Sequence, residues 1–111
     1  MAREMKESDW KIFRQLHGVA LERFCERVIE EVRSSTASCT DSHHDCYLKL
    51  FDLLRRRDKE LGDTFDTLRR SNALFLLVCI KRRGLLTEEE LMRLSAETRE
   101  AVEKIESISR D

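Results

Sequence analysis

Apolar residues recur at three- and four-residue steps from Asp9 onward, the spacing of helices that each bury one face. Trp10, Phe13, His17, Ala20, Phe24, Val28 and Val32 form one row, and Ile12, Leu16, Val19 and Ile29 widen it. This pattern predicts a first helix over about 9–32, with Ser8 as N-cap and Asp9 in the first turn, where a negative charge meets the positive end of the helix dipole. Gly18 in its middle costs helix stability, and its expected use is close approach of another helix.

The period lapses over Ser34–Ser42, a Ser/Thr-rich stretch that reads as a connection, with the loop at 34–41. It then resumes as a heptad. Tyr47, Leu54, Leu61, Leu68 and Phe75 form one row, and Phe51, Asp58, Phe65, Asn72 and Cys79 form the other. Gly62–Asp63 is a possible stop and start, yet the phase is unbroken across it. The expectation is therefore one long central helix over about 43–82, bent at Gly62 and ~60 Å long. A single small domain is not that wide, so the helix calls for a second chain and predicts a homodimer. An antiparallel pair with its two-fold axis near Asp63 sets Leu61 against Phe65, Asp58 against Leu68, and Leu54 against Asn72. The outer layers are then Phe51 with Phe75 and Tyr47 with Cys79. Asp58 and Asn72 are polar positions in an apolar seam, either a device that fixes register or places where the seam is bent and open to water.

Arg82, Arg83 and Gly84 are a suitable helix end, with Gly84 free to take the left-handed position. Thr87-Glu88-Glu89-Glu90 is a capping box that opens a short helix over about 88–94, presenting Leu91, Met92 and Leu94. Ser95 starts a last helix over about 96–107, carrying Ala101, Val102, Ile105 and Ile108, after which the tail is expected to fray. The fold class is thus an all-α helical bundle in one domain.

Composition narrows the alternatives. Three Gly and no Pro among 111 residues leave too few turn formers for a β-sandwich or barrel, and no Gly-rich loop to cradle a nucleotide. The longest apolar run, Ala73–Ile80, is too short to cross a bilayer. The opening MAREMKESDW lacks the apolar core of a secretory signal, so Cys25, Cys39, Cys46 and Cys79 are expected as reduced thiols in the cytoplasm. The net charge is -1, but residues 34–83 carry ten basic and seven acidic groups, while residues 84–111 carry four and eight. The acidic end can dock on the basic middle.

Candidate chemistry is sparse. Cys39, His43, His44 and Cys46 are zinc-ligand types in a cluster, but His43 and His44 lie about 100° apart on a helix and the spacing matches no zinc-finger signature. A solvated helix start explains them better, and no metal or cofactor is assigned. Arg55–Arg57, Arg69, Arg70 and Lys81–Arg83 resemble a phosphate-binding stripe. Asp52, Asp58, Glu60, Asp63 and Asp66 interleave with them, and no aromatic stands among them to stack a base, which disfavours nucleic acid. His17 has neither an orienting carboxylate nor a nucleophile in phase and reads as a core-edge histidine. With no catalytic constellation, the expected function is a non-enzymatic helical interaction or regulatory module, self-associating through the central helix. A nucleic-acid-binding regulator is one alternative and a metal- or redox-responsive protein the other.

Overall fold

The helical spacing carries through to the backbone. The computed structural model describes residues 4–109, which form α1 (Glu7–Ser38), α2 (His43–Phe65), a 3-10 turn (Arg70–Asn72), α3 (Ala73–Arg82), α4 (Glu88–Leu91) and α5 (Ala96–Ser109). Helices take 81% of these residues, and with no strand among them the fold is an all-α bundle.

Helix α1 is longer than its apolar rows suggest. It starts at Glu7, with Lys6 as N-cap, so Ser8 lies inside it. At its far end it absorbs most of the expected loop. The hydroxyls of Thr36 and Ser38 donate to the carbonyls of Val32 and Ser34, at 2.7 and 2.9 Å, so these side chains bond back to the preceding turn and do not draw the chain into a competing turn or cap. Only Cys39–Ser42 connects α1 to α2, and α2 folds back antiparallel as a helical hairpin. Cys39 is joined to Cys46, Glu31 meets Arg57, and Phe24 and His17 both meet Phe65. The Ser42 side chain caps α2 by accepting from the Asp45 N–H at 3.1 Å.

The continuous helix expected over 43–82 is two helices. Helix α2 runs through Gly62 to Phe65. Asp66 is then extended, Thr67 takes a positive φ of 62°, and the chain re-enters helix at Ala73. Asn72 builds this turn: its side-chain oxygen accepts from the Arg69 N–H at 2.9 Å, and its side-chain N–H donates to the Thr67 carbonyl at 2.7 Å. The break has a driving force. A straight helix would leave part of the apolar run Ala73–Ile80 in water. Bending it inward buries Ala73, Leu74, Leu76, Leu77, Val78 and Ile80, each large side chain contributing on the order of 1.5–3 kcal/mol. The heptad phase survives because seven residues, 66–72, separate the two helices.

These buried residues centre the core. They pack with Phe13, Leu16, Ala20 and Phe24 of α1, Phe65 of α2, and Leu85, Leu91, Leu94, Ala101 and Val102 of the C-terminal third. Gly84, with φ 67°, ends α3 as the sequence leads one to expect: its N–H reaches the Lys81 carbonyl and that of Leu85 reaches Ile80. The Arg27 guanidinium donates to the carbonyls of Arg83 and Gly84, both at 2.8 Å.

Two polar clips close the bundle. Asp9 is buried, and its carboxylate accepts from the Ser95 N–H and hydroxyl and from the Thr98 hydroxyl, at 2.9, 2.6 and 2.6 Å. It thereby ties the start of α1 to the start of α5. Burial alone pushes this carboxyl up, but the hydrogen bonds from Ser95 and Thr98 outweigh it and hold the group below its ordinary value. In the second clip, Arg23 grips Glu90 through both guanidinium nitrogens, at 2.6 and 2.9 Å. Glu90 also closes the capping box with Thr87. The Arg23 bond, joined by the Thr87 N–H, lowers the Glu90 carboxyl to about 2. Helix α5 continues to Ser109, so the end expected to fray is helical that far; Arg110 and Asp111 lie outside the described residues.

Candidate protein-docking surface

The molecule measures 53 × 27 × 24 Å, and the long axis arises because the α1–α2 hairpin projects from the body. The core takes Phe24 and Phe65 from the hairpin, with Val28 and Leu61 partly buried against it, and nothing from residues 29–60. Beyond Val28 the two helices have mainly each other. Leu53 is buried between them, and Arg57 donates two bonds to the Glu31 carboxylate, at 2.8 and 2.9 Å. These bonds lower the Glu31 carboxyl and raise the Arg57 guanidinium.

A two-helix layer has two broad faces, and here they differ. One carries Arg27, Glu31, Arg57, Glu60 and Arg83, with Arg83 bonded to Glu60 and to the Thr64 hydroxyl. The other is apolar. A groove of about 270 Å³ runs between the helices there, lined by Cys25 and Ile29 of α1 and by Leu54 and Leu61 of α2, with Arg57 and Asp58 also in its wall. Tyr47 and Phe51 continue the α2 row past it, their rings 6.4 Å apart. Tyr47 is 60% exposed, Phe51 58% and Ile29 51%; Phe75 and Ile108 are exposed elsewhere, and what sets this face apart is that several such side chains lie together on it.

The expected seam is thereby divided. Tyr47, Phe51, Leu54 and Asp58 lie exposed on this face, with Leu61 half-buried at its inner end. Phe65 is buried against Phe24 and His17, so it is not available to a second chain. Leu68 packs on the core and Asn72 holds the interhelical turn. Phe75 and Cys79 belong to α3, on the other side of the break. The two-fold register about Asp63 needs one straight helix and does not survive. Gly18 has open space where a Cβ would stand, so no helix among the described residues packs closely on it.

The other candidates resolve differently. Cys39 and Cys46 form a disulfide, correcting the expectation of four reduced thiols and taking both sulfurs from the proposed ligand cluster with His43 and His44. Among the described residues no group of three His, Cys, Asp or Glu side chains is placed to hold a metal ion. Much of the basic stripe is engaged within the chain. Arg55 and Arg56 bond Asp52, Arg57 bonds Glu31 and Glu60, Arg70 bonds the Met5 carbonyl, and Lys81 bonds Glu106. The last pair joins the acidic end to the basic middle, as the charge distribution suggests. His17 sits between the rings of Phe13 and Phe65, its Nε2 3.0 Å from the Phe65 carbonyl at the end of α2. Sequence reasoning missed the disulfide and the Asp9 clip. Spacing alone does not signal either one, although Asp9 and the Ser95–Thr98 cap were each visible as helix starts. No helix among the described residues is long and apolar enough to cross a membrane. Compared with protein families, curated proteins and solved structures, the chain matches none.

Proposed function

We propose that the protein is a non-enzymatic helical interaction module whose working surface is the apolar face of the α1–α2 hairpin and whose occupant is a second copy of the chain. The observation that carries this is the exposed row Tyr47, Phe51 and Leu54 beside Ile29 across one open groove. Two helices with an apolar face form half of a four-helix bundle, and a second hairpin of the same kind completes it.

Charge favours a copy over an unrelated partner. Glu22 and Glu26 stand one turn before Cys25 and Ile29 and border the face on the α1 side. Arg55, even while bonded to Asp52, and Lys59 follow Phe51 at four-residue steps and border it on the α2 side. All four are exposed. A two-fold arrangement that lays α1 of one copy over α2 of the other brings the acidic border against the basic one, twice. Asp58 is then the polar position inside the apolar row that sets register, at a cost in affinity.

Light scattering across a concentration series tests this. A dimer mass is expected for the native chain. Phe51→Glu is expected to give a folded monomer, and Asp58→Leu to tighten the dimer. A native chain that stays monomeric to high micromolar concentration, or a dimer indifferent to Phe51→Glu, overturns the reading.

A further inference from the structure

We propose that Cys39 and Cys46 are a reversible redox-modification site, and that their disulfide is the latch that keeps the distal half of the hairpin ordered. The consequence for docking rests on the interaction reading above; the latch itself does not.

Cys39 is the C-cap residue of α1, and Cys46 lies in the first turn and a half of α2. Their bond, at a sequence separation of 7, clamps the two helix ends across the connection. Little else holds them. No residue from 29 to 60 enters the core, and no large apolar side chain in 39–46 is available to pack. The side-chain ties at the tip include the Ser42 cap on Asp45 and an ion pair between Lys49 and Asp41, both exposed. Exposed ties of this kind are weak. A closed eight-residue loop removes many open conformations that the dithiol form regains. The apolar face begins immediately after the latch, at Tyr47, Leu48 and Phe51, so fraying of this end of α2 dismantles the outer half of that face.

The site is also reachable. Both cysteines are partly exposed, and both line a cavity of about 430 Å³ with Ser35, Thr36, Tyr47 and Lys49. A small dithiol or a dithiol-bearing protein can attack there. One S–S bond breaks, the reductant supplies two electrons and two protons, and two protein thiols and an oxidised reductant remain. A disulfide acceptor reverses the exchange. Cys25 and Cys79 are the free thiols and stand apart from this pair.

The experiment follows hydrogen exchange and mass in oxidised and dithiothreitol-reduced protein, with the α3 thiol removed by Cys79→Ala and Cys25, which lines the docking groove, left in place. Reduction is expected to raise exchange at least about tenfold over residues 39–54 and leave α3 and α5 unchanged. Cys39→Ser/Cys46→Ser is expected to reproduce the reduced pattern and lose its response to reductant. Where the protein dimerises, reduction is expected to weaken the dimer by a similar factor. A monomer in both states that still shows the exchange difference supports the latch while removing the dimer reading. Equal exchange in the two states, or air-oxidised protein in which residues 39 and 46 remain free thiols, overturns the proposal.

Discussion

The body and the hairpin are built from the same residue types, and they use them differently. In the body, every large side chain of α3 except Phe75 and those of its charged end is directed inward, and α1, α4 and α5 close around them. In the distal hairpin, Leu53 is buried while Tyr47, Leu48, Phe51 and Leu54 face water. Two helices bury one seam between them and leave apolar positions over; a third and fourth helix are needed to use those as well. The body has its extra helices within the chain. The hairpin does not, and a covalent bond and an ion-pair network stand where a core would be.

The largest expected effect tests that contrast directly. Ile80→Ala opens a cavity at a fully buried position of the body and is expected to cost about 3–4 kcal/mol in urea unfolding. Leu48→Ala, on the exposed hairpin face, is expected to change the stability of the monomer by no more than about 0.5 kcal/mol. Equal costs at the two sites would mean that the hairpin is held as firmly as the body.

A smaller effect follows from the clips, which belong mainly to the body. The Glu90 carboxyl is depressed from 4.5 to about 2 by Arg23 first and by the Thr87 N–H second. A carboxyl lowered in the folded state stabilises above its ordinary value, and that stability drains away as pH falls from about 4.5 through about 2. Asp9 is shifted in the same direction by Ser95 and Thr98, against the opposing pull of burial, and adds to the loss. Unfolding midpoints are therefore expected to drop below pH 4.5, and Glu90→Gln to shrink that drop while lowering the midpoint at neutral pH. Thr87→Ala removes one half of the capping box and is expected to cost about 1 kcal/mol. An unchanged acid limb in Glu90→Gln would place the titrating groups elsewhere, with the Arg57-bonded Glu31 of the hairpin the next to test.

Much of this architecture is legible in the residues. The α-class, the start of α4 at Thr87, the left-handed Gly84 and the apolar run that becomes α3 all follow from period and cap chemistry, because those signals are local. The break after Phe65 is not local. Asp66–Asn72 keeps the heptad in phase, and what decides against a straight helix is the burial that Ala73–Ile80 gains from α1 and α5, elements far away in sequence. The disulfide is hidden for a related reason. Ser34–Ser38 looks like loop by composition, and only when it is helical do Cys39 and Cys46 face each other across a short connection. The heptad run of α2, with Tyr47, Phe51 and Leu54 left exposed, follows the period, while the row past Phe65 belongs to another helix, since phase continuity does not require one continuous helix.

The smallest expected effect returns to Gly18, which lies in α1 where body passes into hairpin. Its position in the sequence suggested close packing, but a Cβ there meets open space, and φ is not in the left-handed region. A helical glycine that packs against nothing costs stability only through the freedom it has when unfolded. Gly18→Ala is therefore expected to raise the unfolding free energy by about 0.5–1 kcal/mol. The same variant probes how far the proposed docking face extends toward the body, because Gly18 precedes Glu22 and Cys25 on that side of α1. If docking ends at the hairpin, Gly18→Ala leaves the dimer affinity unchanged while stabilising the monomer. If the second copy crosses α1 as far as Gly18, the added methyl meets it, and light scattering registers a weaker dimer despite the more stable fold.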